Sequence, residues 1–469
     1  MAIEFNLREF GHPLSILRLY GLFERSQWLT LDSLLACQEQ LLRRTIAHAY
    51  KQVPYYHELF RKLRLLPADV QTVADLQKIP SLPKATLRAE FFRLQAQDGD
   101  QHHPRVYRTS GTSGEPVHFL LDTPANALEF VYYWRHWSWA GYQLGDHFAE
   151  LTSQYFLRDE QLALRRWCYQ RMFGRLLLNS LFFSADTVDE YADVLRKYRP
   201  RFLKGTASAL SFFALFFRGA AISDISFEAI FSNGDQLLPS QRKLIAEVFH
   251  GRVYDSYGHM ERTVAICECP YGGFHINPEY GVLELMDRRP LPSGTTEPGI
   301  RRFSARVMGT SLHNRSMPLL RYEVNDIVEV EEMATACSCG RAMPRVSRVN
   351  GRQEDVITTP DGRIIPTLFV VFNEVPGISL GQLVQVEPAR LVIRIVPSHE
   401  YTRQSETVLL AYVRRFVGSS VRVDVEYLSA DALRATTSGK FRTVISAVPA
   451  HGIGNGSPAE AADTFSGVA

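Results

Sequence analysis

At 469 residues the chain exceeds what one hydrophobic core usually serves, so two or three domains are expected. Its composition, 45% hydrophobic and 22% charged, is that of a globular protein. The formal net charge of +2 supplies no electrostatic drive towards nucleic acid or an anionic membrane. No secretory signal opens the sequence, and the most apolar stretch, 209–217, is too short to cross a bilayer, so a cytoplasmic protein without a membrane span is expected. Six cysteines in so long a chain do not make a disulfide scaffold.

From about 30 to 66 the spacing of Leu34, Leu35, Leu41, Leu42, Ile46 and Ala49 predicts helix, with Pro54 closing the run. Pro80 and Pro83 punctuate the chain before a second helical stretch at 85–94. Residues 227–231, 241–249 and 252–257 read as strand, helix, strand, the pattern of a βαβ unit in an α/β sheet. Residues 356–365 read as strand–turn–strand around Pro360, Asp361 and Gly362. Strands at 383–386 and 391–396, a helix at 405–416 and a strand at 421–427 complete a small α+β unit. A domain boundary is expected near Arg352 to Asp355, and the Ala, Gly, Ser and Pro-rich residues from about 447 to 469 are expected to be disordered.

Five segments carry candidate chemistry. Thr109-Ser110-Gly111-Thr112-Ser113-Gly114 is a Ser/Thr/Gly loop whose backbone N–H groups suit an anion-binding nest, although it lacks the Gly-Lys-Ser/Thr ending of a Walker loop. Tyr257-Gly258-His259-Met260-Glu261 follows a predicted strand, and a carboxylate emerging there is well placed to hold Mg²⁺ on phosphates. Arg321-Tyr322-Glu323-Val324-Asn325-Asp326 ends in an acid suited to a ribose diol. Gly351-Arg352-Gln353-Glu354-Asp355 sits at the expected boundary, and Gly439-Lys440 near the end offers a cation for developing negative charge. Each segment alone reads as well as a surface loop or a turn.

In that order and spacing the five resemble the core motifs of the adenylate-forming superfamily. The likeness is greatest to its phenylacetate–CoA ligase branch and, within that, to the CapK-like proteins of capsule and exopolysaccharide clusters. Ile79-Pro80-Ser81-Leu82-Pro83-Lys84, Lys204-Gly205-Thr206 and Ser232-Asn233-Gly234-Asp235 also fit, and the resemblance spans roughly 30 to 446. It implies an α/β fold: a large N-terminal adenylate-forming domain with α/β subdomains (1–351) and a small mobile α+β C-terminal domain (352–446).

By resemblance, Thr109 to Gly114 would cradle the β- and γ-phosphates of ATP. Gly234, Tyr257 and Gly258 would border the adenine, Glu261 would hold Mg²⁺, and Asp326 would bind the ribose. Arg352 would contact ribose or phosphate, Glu354 would sit at the hinge, Lys440 would stabilise adenylation, and His259 would lie near the substrate carboxylate. The activity implied is ATP-dependent activation of a small carboxylic acid to acyl-AMP, then transfer to CoA. An amine or sugar acceptor, or a non-catalytic nucleotide-binding homologue, are the alternatives. A homodimer is compatible with the group. The chain departs from its relatives at Ser113 and Glu115, at His259-Met260, at Asn233 and Asp235 flanking Gly234, and at Glu354; these departures bear on the acid more than on ATP.

Cys269 and His275 lie close in sequence, and Cys337-Ser338-Cys339 follows about sixty residues later. Thiolates and an imidazole fit a closed tetrahedral Zn²⁺ site, with Cys267 an alternate to Cys269; reduced, partly buried thiols are the other reading. Similar positions in this branch resemble a structural zinc knot. Tyr132, Tyr133, Trp134, Trp137 and Trp139 form an aromatic cluster read mainly as core.

Overall fold

The computed structural model describes residues 13–108, 117–153, 155–156, 160–234, 237, 239–290, 301–331, 336–350, 357–365, 368, 371–397, 401–428 and 444–448. Helices α1 (Pro13–Ser26), α2 (Leu31–Gln52), α3 (Pro54–Leu63) and α4 (Lys84–Ala89) open it, followed by the hairpin β1 (Arg105–Arg108) and β2 (His118–Leu121). Thr30 caps α2 by accepting from Ser33 N, and Leu34, Leu42, Ile46 and Ala49 form its buried stripe. The single helix expected over 30–66 is two helices. Pro54 pushes Val53 out of the helical region, to φ −106° and ψ 111°, and then serves as the first residue of α3. The helix expected at 85–94 stops at Ala89, because the Arg93 carbonyl accepts Tyr55 N from α3 and the chain between turns to reach it.

A large sheet follows. It is built from α5 (Thr123–Ser138), β3 (Phe148–Thr152), α6 (Glu160–Ala163), β4 (Trp167–Gln170), β5 (Arg175–Asn179), α7 (Val188–Tyr198), β6 (Phe202–Gly205) and α8 (Ala207–Gly219). The run continues through β7 (Ala229–Asn233), α9 (Pro239–Phe249), β8 (Arg252–Gly258), β9 (Ala265–Glu268) and β10 (Phe274–Ile276). β5, β3, β6, β7 and β8 run parallel, with antiparallel strands at both edges. Alternation decides which helices each face takes. Leu203, Ile230 and Val253 face α7, α8 and α9, whereas Phe202, Phe231 and Tyr254 face α1 and α5.

Three smaller sheets complete the molecule. β11 (Gly281–Pro290), β12 (Arg302–Ser311), β13 (Tyr322–Glu331) and β15 (Arg348–Asn350) form an antiparallel sheet that shares a core with α2 and α3, while β14 (Arg345–Val346) joins the edge of the large sheet at β10. The strand pair expected at 356–365 is β16 (Ile357–Thr358) and β17 (Ile364–Ile365). Then α10 (Val371–Glu374), β18 (Ile378–Glu387), β19 (Arg390–Pro397), α11 (Arg403–Val417), β20 (Arg422–Tyr427) and β21 (Val444–Ser446) form a four-stranded sheet with its own core. Among the described residues no helix is long and apolar enough to cross a membrane.

Asp255 lies mid-strand in β8 directly opposite Glu268 of β9, whose carboxylate takes Asp255 N and Arg242. Burial, then the Glu268 charge, push the Asp255 carboxyl up to about 8, with Arg242 opposing. A carboxyl raised in the folded state favours folding while protonated. That contribution is complete below the unfolded value, about 4, and is lost as pH rises through the folded one. Asp255→Asn is therefore expected to match the parent near pH 4 and to exceed it in urea midpoint near pH 9. A variant no more stable than the parent in alkali would contradict the assignment.

Candidate active site and cysteine–histidine cluster

The candidate site forms where the large sheet meets the antiparallel one. β8 ends at Tyr257-Gly258, and the turn to β9 closes with Arg262 N donating to His259 O. Arg262 takes a left-handed φ of 56° there. That turn directs Glu261 inwards to 5% exposure. Both carboxylate oxygens are held: Tyr322 Oη–H donates to Oε1 at 2.7 Å, and His259 Nδ1 meets Oε2 at 3.0 Å. His259 Nε2 faces Thr263 Oγ1 at 2.9 Å, so the imidazole bridges acid and hydroxyl. Burial opposes the charge, but His259, the Tyr322 hydroxyl and the nearby Lys84 ammonium outweigh it and hold the Glu261 carboxyl down to about 2.

Asp326 joins from β13, where Tyr257 Oη–H donates to its Oδ2 at 2.6 Å. Tyr322 opens the same strand and is fixed from behind. Leu82 bridges to it in parallel register, Leu82 N donates to Arg321 O at 2.8 Å, and Glu323 N donates to Leu82 O at 3.1 Å. That strap carries the chain to Lys84 at the start of α4. Two glycines close the arrangement: a Cβ on Gly309 would stand 1.9 Å from Thr263 Oγ1, and one on Gly281 would stand 1.9 Å from Thr263 O. Gly234, just past the end of β7, has φ +90°.

The structure thus brings Tyr257, Gly258, His259, Glu261 and Asp326 together, with Gly234 at the end of the adjoining strand. Thr109, Ser110, Gly111, Thr112, Ser113, Gly114, Arg352, Glu354, Lys440 and the tail from about 447, beyond Val448, lie outside the described residues. Tyr322 and Thr263 were not singled out by sequence reasoning. Tyr322 stood inside the Arg-Tyr-x-x-x-Asp segment, four residues before Asp326, and that shared segment was the available signal.

A second cluster gathers Cys269 just past β9, His275 on β10, and Cys337 and Cys339 from the loop before β14. One ligand atom from each of Cys269, His275, Cys337 and Cys339 falls within 4.8 Å of all the others. Cys269 Sγ and Cys337 Sγ are 3.6 Å apart, and Cys339 Sγ and His275 Nε2 are 3.3 Å apart. Ligands on one tetrahedral zinc stand about 3.4–3.8 Å from each other, so the donor set fits with little movement. His275 Nδ1 sits 3.2 Å from Met343 O, which leaves Nε2 facing the thiols. Cys267 belongs elsewhere: one residue before Glu268 on β9, it points to Asn277 and Tyr132. Burial pushes the Cys269 thiol up to about 11 and the His275 imidazole down to about 4.

Comparison with known proteins can now be set beside this geometry. Residues 357–447 match the CapK C-terminal domain family. Protein CapK of Staphylococcus aureus is 21% identical over 421 residues, covering 88% of this chain and 89% of that protein. A phenylacetate–coenzyme A ligase of Thermus thermophilus is 25% identical over 362 residues, covering 72% and 75%. Over most of its length the chain is thus similar both to phenylacetate–CoA ligase and to CapK. The structure of 2-hydroxyisobutyryl-CoA ligase in its postadenylation state shares the fold, with TM-score 0.54 and 19% identity over 90% of this chain and 91% of that one.

Tyr322→Phe removes the donor on Glu261 Oε1 while keeping the ring. A buried carboxylate deprived of one partner is expected to cost about 2 kcal/mol, read as a lower urea midpoint. A midpoint unchanged from the parent would mean that this bond does not hold the two sheets together.

Proposed function

We propose that the chain is an adenylate-forming protein of the phenylacetate–CoA ligase/CapK-like group, which activates a carboxylic acid with ATP and Mg²⁺ to acyl-AMP and pyrophosphate and then transfers the acyl group to CoA. The observation that carries the reading is the pinned Glu261 carboxylate beside the Tyr257–Asp326 pair, at the carboxyl end of β8. In open α/β sheets that end is where ligands bind. Each Glu261 oxygen has one donor and keeps a second lone pair, so a hard cation can be contacted without breaking either bond.

In this proposal Glu261 would hold Mg²⁺, which would supply charge neutralisation at the phosphates. Asp326 accepts from the ribose hydroxyls, Gly234, Tyr257 and Gly258 border the adenine, and Thr109 to Gly114 hold the β- and γ-phosphates. Arg352 contacts ribose or phosphate. His259, oriented by Thr263, faces the incoming carboxylate. That carboxylate attacks the α-phosphorus, the bond to the bridging oxygen breaks, and pyrophosphate leaves with the electron pair. Little covalent work falls to the protein, so positioning and charge carry the rate. The division at 351/352, with Glu354 as hinge, lets residues 352–446 bring Lys440 to the phosphates for the first half-reaction and withdraw it for the second. The reaction is placed in the cytoplasm, where the cysteines stay reduced. An amine or sugar acceptor, the alternative that the CapK resemblance implies, is the second reading.

Lys440→Ala and Glu261→Gln are each expected to lower acid-dependent ATP–pyrophosphate exchange by about a hundredfold or more. Exchange at parental rates in both would remove the assignment. Adding CoA or hydroxylamine to the preformed adenylate then separates the acceptors by product mass.

We also propose that Cys269, His275, Cys337 and Cys339 hold one structural Zn²⁺, whose charge would draw the protons off the thiols. Metal analysis of purified protein is expected to find about one equivalent of zinc, and Cys337→Ser to lose most of it together with thermal stability. Zinc below about a tenth of an equivalent in the parent would refute the site.

A further inference from the structure

A buried polar chain links α5 to the tip of β7 and to the turn after β8. Glu129 and Tyr133 lie one turn apart on α5 and face the sheet together. Glu129 meets two donors, Arg262 Nη1 at 3.0 Å and Tyr280 Oη–H at 3.2 Å, and its charge bears on the nearby Tyr133 hydroxyl. Tyr133 also meets Asn233 Nδ2 at 2.7 Å. Its ring is fixed from the far side by the Lys204 ammonium, 4.8 Å from the centroid, which is itself paired to Glu150. Glu129, Tyr133, Arg262 and Tyr280 are at most 9% exposed, whereas Asn233 at the tip of β7 is partly exposed and immediately precedes Gly234.

The direction of the chain orients the Asn233 amide. Asn233 Nδ2 donates to the Tyr133 oxygen, which accepts. Asn233 therefore turns its N–H group inwards and its carbonyl oxygen away from Tyr133. Arg262, the far end of the same chain, neighbours Glu261 and reaches towards His259 O at 3.4 Å. In the acyl-adenylate reading Gly234 borders the nucleotide and His259 the incoming carboxylate, so the acyl group would lie beside Asn233, which pairs with Ser256 on the adjoining strand.

We propose that Asn233 is a specificity-determining residue for the acid, and that the acid it selects carries a hydrogen-bond donor, a hydroxyl or amide N–H, on its acyl portion. This rests on the acyl-adenylate reading above. A hydrocarbon chain would bury the carbonyl oxygen without a partner, whereas a donor satisfies it, and sites built this way reject the unadorned analogue strongly. Tyr133 acts as a positioning residue, since it sets which edge of the amide faces the ligand.

Non-hydrolysable acyl-sulfamoyl-adenosines test this in the full-length protein by calorimetry. Matched pairs differ by one donor: 4-hydroxyphenylacetyl against phenylacetyl, 3-hydroxybutyryl against butyryl, and N-acetylglycyl against pentanoyl. At least one donor-bearing member is expected to bind about tenfold or more tighter than its partner. Asn233→Ala should bring that ratio to within about twofold, and Tyr133→Phe, which keeps the ring over Lys204, should reduce it by freeing the amide. Because both members carry the same adenosine, the ratio is insensitive to a general loss of nucleotide affinity. Ratios within about twofold for every pair in the parent, or a ratio that survives Asn233→Ala, would overturn the proposal. Binding of neither member of any pair would overturn the adenylate reading and this proposal with it.

Discussion

A carboxylate taken out of water must be met by donors on more than one side, and Glu261 is the place where that requirement joins two sheets. Its own turn supplies His259, but the second donor, Tyr322, belongs to β13 in the antiparallel sheet. The Tyr257–Asp326 bond repeats the connection one strand step away. Because side chains alternate along β8, a one-residue slip of β8 against β9 would turn Tyr257 to the other face. Thr263, gripped by the backbone at Gly281 and Gly309, removes that freedom. The docking of the sheets and the shape of the candidate site are one constraint.

Much of the large sheet was legible because its strands alternate in the ordinary way and its helices carry apolar stripes. The strand–helix–strand around 227–257 and the small unit after 357 fall where periodicity places them. What periodicity misses is decided by tertiary partners. Val53 breaks a continuous apolar stripe because proline follows it, and α4 ends early because an Arg93 carbonyl is needed by α3. In the site, Glu261 and Asp326 were found because acids flanked by Tyr-Gly and Arg-Tyr form a distinctive series. Tyr322 was overlooked because a tyrosine opening a strand is usually packing, and nothing local says that its hydroxyl reaches a residue sixty-one positions away.

The cysteine pairs show the same limit from the other side. Sequence spacing admitted both Cys267 and Cys269, and strand parity alone would put residues two apart on one face; the end of β9 at Glu268 separates them. Cys267, still on β9, lies against Tyr132, while Cys269, just beyond the strand, turns with the chain towards Cys337. The neighbouring shell is as specific as the donors. Met343 O fixes the His275 ring, and Gly273 keeps the centre open, since a Cβ there would lie 3.1 Å from Cys337 Sγ and 3.3 Å from His275 Nε2.

Both clusters hang from β9, which follows the Glu261 turn and leads directly into Cys269. Its other face is bolted to α5 through Tyr132, whose hydroxyl donates to Tyr257 O and Ile266 O, and through His136, bonded to Glu268 O. Helix α5 in turn is anchored to α1 and to the 277–279 turn by the wholly buried Arg135, which bonds Glu279, Asn277 and Phe23 O. A buried arginine satisfied on several sides favours one arrangement over its alternatives, because any shift strands a charge away from water. The positions of Glu129 and Tyr133 on α5 are therefore inherited from a network on the opposite side of the helix. That is why an amide at the tip of β7 can be held in one orientation: its support runs through α5 to the same rigid core that carries the four metal-type ligands, while the site's own turn contributes only the last contact.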